Sequence, residues 1–289
     1  MKRELFNVLA DIAENRVTEA NNNDVIAMLL LNEMVEIRDG KVCITEKGFA
    51  ALEPYQVKRA IFLAAGFGSR MKPITINTPK PMVRVHGKRI IETILDAVLA
   101  LGVEEIYIVR GYLGEEFDLL LKKYPMIRFI ENPVYDHAGT IASFYYSRHL
   151  LRNTYVLESD LVVNNPKALH KYHYTSDFMG TKIDKTEDWF FKTKEDGTIT
   201  EIGVNGEGES CYQLIGISYW DSEAGKKLEN DIEEAYNGEN GMKLPMSYVP
   251  FRVYPEHYNV SIMPCEKGDI VEIDSFKELQ AYDTAYACE

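Results

Sequence analysis

An α/β fold built on a mixed, mainly parallel sheet is predicted for most of this 289-residue chain by three observations. From residue 59 onward, short apolar runs alternate with helical patterns; the first run feeds a glycine-rich turn; and aspartates follow two later runs. Alternation of this kind builds βαβ units whose strands are covered on both faces, and ligands gather at the carboxyl ends of such strands. Residues 1–58 have a different texture, so two domains are expected, 1–58 and 59–289.

In the first domain, Leu5, Val8, Leu9 and Ile12 share one helical face, and Val25, Ile26, Met28, Leu29 and Leu30 fill a second helix after the polar Asn21-Asn22-Asn23-Asp24. Met34 to Ile44 reads as two strands around an Asp39-Gly40 turn, and Thr45-Glu46-Lys47-Gly48-Phe49 opens a short closing helix. Helices followed by a small hairpin resemble a winged-helix module. A DNA-reading module of that type needs cations on its recognition helix and wing, yet residues 1–58 hold seven Lys and Arg against ten Asp and Glu. The stretch therefore reads as a packing or homo-oligomerisation module, and nucleic acid is not an expected partner.

In the second domain the strands are expected at Ala60 to Ala64, Glu105 to Val109, Ile127 to Ile130 and Tyr155 to Leu157. The intervening helices are expected near Lys88 to Leu101, Glu115 to Lys123 and Thr140 to Leu151. After Asp160 the segments Phe178 to Ile183, Trp189 to Thr193, Thr198 to Val204 and Tyr212 to Trp220 are short, aromatic and β-rich, with a helix near Glu223 to Tyr236. Residues 177–274 are expected to form an antiparallel part supplying an acceptor pocket.

The chemistry is concentrated in Leu63-Ala64-Ala65-Gly66-Phe67-Gly68-Ser69-Arg70-Met71 and in Thr78-Pro79-Lys80-Pro81. Glycines let backbone N–H groups converge on an anion, Arg70 offers a planar fork of donors, and Lys80 offers a mobile point charge. A nucleoside triphosphate suits such a loop. It is not a P-loop, because no Lys-Ser/Thr pair follows the second glycine, and not a dinucleotide fingerprint, because a third glycine is missing. Pro73, Pro79 and Pro81 keep the stretch irregular, so Lys80 is expected to reach the site from its far end.

The loop, together with Val83 to Val85 and Ile90 to Leu95, resembles the signature of the nucleotidyltransferases that make NDP-sugars and CDP-alcohols. Ile108 to Leu113, Tyr155 to Asp160 and Glu272 to Ser275 are most similar to the bacterial CTP:phosphocholine cytidylyltransferases. The resemblance runs from about Arg59 to the C-terminus and implies a Rossmann-like, GT-A-like domain. It also implies transfer of CMP from CTP to phosphocholine or a related amino-alcohol phosphate, with release of pyrophosphate. On it, Leu63, Ala64, Ala65, Gly66, Gly68, Ser69, Arg70, Lys80, Gly111, Tyr112 and Ser143 bind the nucleotide; Trp189, Tyr248 and Glu272 bind the acceptor. The resemblance also implies that Asp160 and Asp274 hold a Mg²⁺ ion.

Joining two anions requires charge neutralisation, and Mg²⁺ prefers one or two carboxylates with phosphate and water oxygens. Lys80 is expected at the α-phosphate and Arg70 at the departing pyrophosphate. No general base is needed for a phosphate acceptor, so Lys80, Arg70 and Asp160 are the catalytic candidates. Taken alone, Asp274 could equally cap a helix starting near Phe276, and Trp189 and Tyr248 could be core.

Two departures from the family pattern are visible. Gly139-Thr140-Ile141-Ala142-Ser143 stands where paired asparagines are common, and Met246-Ser247-Tyr248-Val249 stands where an acidic triplet is common. The second leaves phosphoethanolamine, another amino-alcohol phosphate or a sugar 1-phosphate open as acceptor. An alternative of another class is a DNA-binding regulator with a degenerate transferase domain as a metabolite sensor; the intact set of Arg70, Lys80, Asp160 and Asp274 argues against it.

A formal charge of −13 speaks against a polyanion-binding protein, and no run of 18 apolar residues or signal-like N-terminus is present, so a cytoplasmic enzyme without membrane insertion is expected. Cys43, Cys211, Cys265 and Cys288 are dispersed and read as reduced thiols. His170 and His173 have the spacing of one helix face and read as solvated surface rather than a metal site.

Overall fold

The computed structural model describes residues 1–16 and 23–287. Asn21 and Asn22 of the expected cap, and Cys288, lie outside them. The chain divides into two compact units, one of Met1–Val57 with His170–Thr175 and one of Lys58–Leu169 with Ser176–Glu289.

In the smaller unit, α1 (Arg3–Ala13) and α2 (Asn23–Leu31) precede a hairpin of β1 (Val35–Arg38) and β2 (Lys41–Ile44), then α3 (Glu46–Leu52). Asp39 and Gly40 both have positive φ, 50° and 75°, which is the backbone a two-residue hairpin turn needs. Thr45 caps α3, its hydroxyl accepting the Gly48 N–H at 3.1 Å. Phe6, Leu9, Leu29, Val35, Val42 and Leu52 form the unit's core together with Tyr172. The surface-helix reading of His170 and His173 is corrected here: the segment is not helical, and His173 is buried. It donates its backbone N–H to Tyr55 O at 2.9 Å and holds its ring nitrogen 3.2 Å from His170 O.

The larger unit carries a nine-stranded mixed sheet. In chain order its strands and two small ladders are β3 (Arg59–Ala64), β4 (Arg84–Val85), β5 (Lys88–Arg89), β6 (Glu105–Arg110), β7 (Ile127–Glu131), β8 (Thr154–Glu158), β9 (Leu161–Val163), β10 (Asp177–Lys182), β11 (Trp189–Thr193), β12 (Ile199–Val204), β13 (Cys211–Trp220), β14 (Ser261–Cys265) and β15 (Ile270–Glu272). The main path runs β12-β11-β13-β8-β3-β6-β7, with β10 against β13 and β14. Strands β8, β3, β6 and β7 are parallel neighbours. Ala60, Ile61 and Phe62 are fully buried, the continuous burial expected of a parallel strand with both faces covered.

Helices α4 (Ile90–Ala100), α5 (Ile141–Ser147), α6 (Ser222–Asn237) and α7 (Phe276–Tyr282) complete the unit. Three expectations change. The helix near Glu115 to Lys123 is a 3₁₀ helix over Gly114–Lys122, and its buried residues Gly114, Phe117 and Leu120 recur every three positions, as three residues per turn demand. The helix near Thr140 to Leu151 stops at Ser147, whose hydroxyl donates back to Ser143 O at 2.8 Å before a 3₁₀ turn takes over. The part expected to be antiparallel contains a parallel pair, β10 with β14. No helix among the described residues is long and apolar enough to cross a membrane.

Candidate active site

Strand β3 ends in small residues, Ala64 and Ala65, and the chain then turns at Gly66 and Gly68. Gly68 has φ +59°, and a β-carbon there would stand 2.8 Å from Lys80 Cβ. Only glycine meets both the backbone and the space requirement. The Thr75 hydroxyl donates to Gly68 O at 2.8 Å and closes the loop from within. Three 3₁₀ turns, Ser69–Met71, Ile74–Ile76 and Lys80–Met82, then fold the proline-rich stretch back so that Lys80 lies against the glycine turn.

Lys80 is 8% exposed, and its ammonium donates to Asp160 Oδ2 at 2.7 Å and Asp274 Oδ1 at 2.6 Å. The exposed Arg70 side chain reaches the same Asp274 Oδ1 at 2.7 Å. Burial pulls the Lys80 pKa down, but the charges and hydrogen bonds of the two aspartates outweigh it and hold the group above the usual lysine value. For Asp274, burial is likewise outweighed, by Lys80 and Arg70, and its carboxyl lies below the usual range.

Two distant segments meet here because of strand pairing. Asp160 follows β8, whose end is tied to β3 by the Ser159 hydroxyl donating to Leu63 O at 2.6 Å. The short antiparallel ladder of β9 with β15 sets Glu272 against Leu161, and Ile273 N–H donates to Asp160 O at 3.2 Å. Asp274 is not the helix cap. Ser275 caps α7, accepting the Glu278 N–H at 3.2 Å, while the Glu278 carboxylate takes the N–H groups of Asp274 and Ser275.

The sequence candidates Leu63 to Gly66, Gly68 to Arg70, Lys80, Ser143, Asp160, Trp189, Glu272 and Asp274 line the resulting cavity of about 590 Å³, together with residues the sequence did not single out, Phe67, Phe178, Leu214 and Met246 among them. Gly111, Tyr112 and Tyr248 are not in its lining. A β-carbon at Gly111 would press on the Tyr135 ring at 2.6 Å, and the Tyr112 hydroxyl donates to Thr75 O and Ile76 O, so this pair braces the loop from outside. Tyr248 meets Trp189 edge-on at 6.0 Å, and the Arg252 guanidinium lies over the Tyr248 ring at 4.3 Å.

Two further carboxylates in the lining, Glu158 and Asp188, were not singled out in the sequence. Room for Glu158 comes from β13, where a β-carbon on Gly216 would stand 2.4 Å from Glu158 Oε2. Burial first, then the Asp160 charge, push the Glu158 carboxyl well above the usual range, and burial with Asp160 and Glu158 does the same for Glu272. One oxygen each from Glu158, Asp160 and Glu272 lie within 4.8 Å of one another, and Asp160 Oδ1 is buried without a hydrogen-bond partner. A buried, unsatisfied carboxylate oxygen is costly, and an all-oxygen donor set of this charge fits a hard divalent cation. Crowding of Glu158 and Glu272 against the Asp160 charge disfavours their ionised forms, and a bound cation would relieve that repulsion.

Residues 60–171 match the family of MobA-like NTP transferase domains. The chain is 35% identical over 230 residues to the 2-aminoethylphosphonate cytidylyltransferase of Lancefieldella rimae, covering 78% of this chain and 92% of that one. It is 30% identical over 220 residues to the choline-phosphate cytidylyltransferase of Streptococcus pneumoniae, covering 76% and 94%. The solved structure of the CTP:phosphocholine cytidylyltransferase from Streptococcus pneumoniae matches with a TM-score of 0.72 at 29% identity, over 78% of this chain and 98% of that one.

Proposed function

This chain belongs to the cytidylyltransferases of the nucleotidyltransferase superfamily, and from that premise we propose that it transfers CMP from CTP to a small aminoalkyl phosphate or phosphonate. An acceptor oxygen forms a bond to the α-phosphorus, the bond to the β-phosphate oxygen breaks, and pyrophosphate leaves. Backbone N–H groups of Gly66 to Ser69 cradle the β- and γ-phosphates, and Arg70, exposed at the cavity mouth, grips the pyrophosphate as it departs. Lys80 turns its ammonium from the aspartates to the α-phosphate and stabilises the charge that builds there. Asp160, with Glu158, Glu272 and Asp274 near it, would hold Mg²⁺, which supplies the positive charge that lets two anions approach.

For the acceptor, the observation that carries the reading is Asp188 beside Trp189 in the lining, with Tyr248 outside it and its face covered by Arg252. A quaternary ammonium is held by several aromatic faces, whereas a primary ammonium donates three hydrogen bonds and suits carboxylates. The cavity offers more of the latter. 2-Aminoethylphosphonate and phosphoethanolamine are therefore the first acceptors, with phosphocholine second on the strength of Trp189. Pyrophosphate release with CTP and each acceptor tests this: kcat/KM for the primary amines is expected to exceed that for phosphocholine by about tenfold or more, the worth of one charged hydrogen bond. Equal or better use of phosphocholine, or turnover only with a sugar 1-phosphate, would overturn the assignment.

A further inference from the structure

A second cavity, of about 320 Å³, lies in the larger unit outside the candidate active site. Thr78, Arg84, Arg89, Glu116 and Leu119 are among its walls. Arg84 and Arg89 are register partners in the antiparallel ladder of β4 with β5, so two guanidinium side chains leave the ladder directly opposite each other. Like charges in that position repel and destabilise the pair.

The chain, with 45 acidic residues to 32 Lys and Arg, has carboxylates enough to neutralise both, yet little is spent on them. Among the described residues Arg84 has no carboxylate partner; its Nη1 donates to Gly87 O at 2.5 Å. Arg89 meets Glu92 only at 3.7 Å, and that carboxylate is already accepting the Arg89 backbone N–H at 3.0 Å. Arg89 also stands at the start of the eleven-residue α4, whose dipole adds positive potential there. A planar, doubly presented fork of donors beside a cavity matches the oxygens of a phosphate.

We propose that this cavity binds a small phosphate- or phosphonate-bearing molecule, gripped by Arg84 and Arg89 as a pair. Glu116 in the wall disfavours a polyanion and favours a ligand whose remainder carries hydrogen-bond donors. Thr78 lines the cavity two residues ahead of Lys80, so the bound molecule lies against the segment that positions the Lys80 ammonium.

Calorimetric titration of the full chain with inorganic phosphate tests the site. Wild type is expected to bind phosphate, Lys80→Ala to retain that binding event, and Arg84→Gln/Arg89→Gln to weaken it by about tenfold or more. The double variant should keep wild-type pyrophosphate release in phosphate-free buffer, which shows it is folded; single Arg84→Gln, at an exposed position, should weaken binding in the same direction. Phosphate affinity unchanged in the arginine variants, lost in Lys80→Ala, or undetectable in wild type would overturn the proposal. The phosphate titrations can be read whether or not the acceptor assignment holds.

Discussion

Lys80→Ala is expected to lower kcat by about 10²–10³-fold, the loss typical when one preorganised donor to a developing charge is removed. Lys80 is nearly buried and its ammonium is shared by Asp160 and Asp274, so the substitution removes two charge-assisted hydrogen bonds and leaves the carboxylates facing each other. The folded state should lose about 1–3 kcal/mol, read as a lower denaturation midpoint, an amount tempered by the partial exposure of both aspartates. The two effects separate by size, since a stability loss of about 1–3 kcal/mol leaves most molecules of an ordinary domain folded and cannot produce a fall in kcat of about 10²-fold. A variant that turned over within about threefold of wild type would remove Lys80 from the α-phosphate.

Asp160→Asn keeps the side chain's shape and removes its charge. Mn²⁺ binding, followed by electron paramagnetic resonance on the nucleotide-free protein, is expected to weaken by about 10–100-fold, and turnover should fall with it. The expectation rests on Asp160 being the carboxylate common to both groupings, the one around Lys80 and the triad with Glu158 and Glu272. Its Oδ1 is the buried oxygen left without a partner. Unchanged Mn²⁺ affinity would remove Asp160 from the metal site.

The parts of the site that were legible in the sequence are those whose chemistry is local. Gly66, Gly68, Arg70 and Lys80 lie within one loop, and the prolines that hold the loop irregular are visible beside them. Asp160 and Asp274 were legible through family resemblance, and the ladder of β9 with β15 supplies the physical reason they meet. Glu158 closes an apolar run and reads as an ordinary strand end; its place depends on the absent side chain of Gly216, a neighbour from another strand. Asp188 sits in a polar turn whose position against the cavity is set by the pairing of β11 with both β12 and β13. Tyr248 stands outside the lining, and the Arg252 guanidinium that covers its ring lies four residues on in a π-helical turn that no periodicity announces. The 3₁₀ helix at Gly114–Lys122 shows the same limit, since a spacing of three satisfies either helix until burial chooses between them.

If a glycine turn, Lys80 and a carboxylate cluster form one cytidylyl-transfer site, isotope from CTP will show where each phosphorus goes. With label at the α-phosphorus and an aminoalkyl phosphonate or phosphate present, the label is expected in the cytidylylated acceptor, and γ-label is expected to leave in pyrophosphate. Label retained in CTP with every acceptor, or γ-label released as inorganic phosphate with CDP left behind, would contradict it.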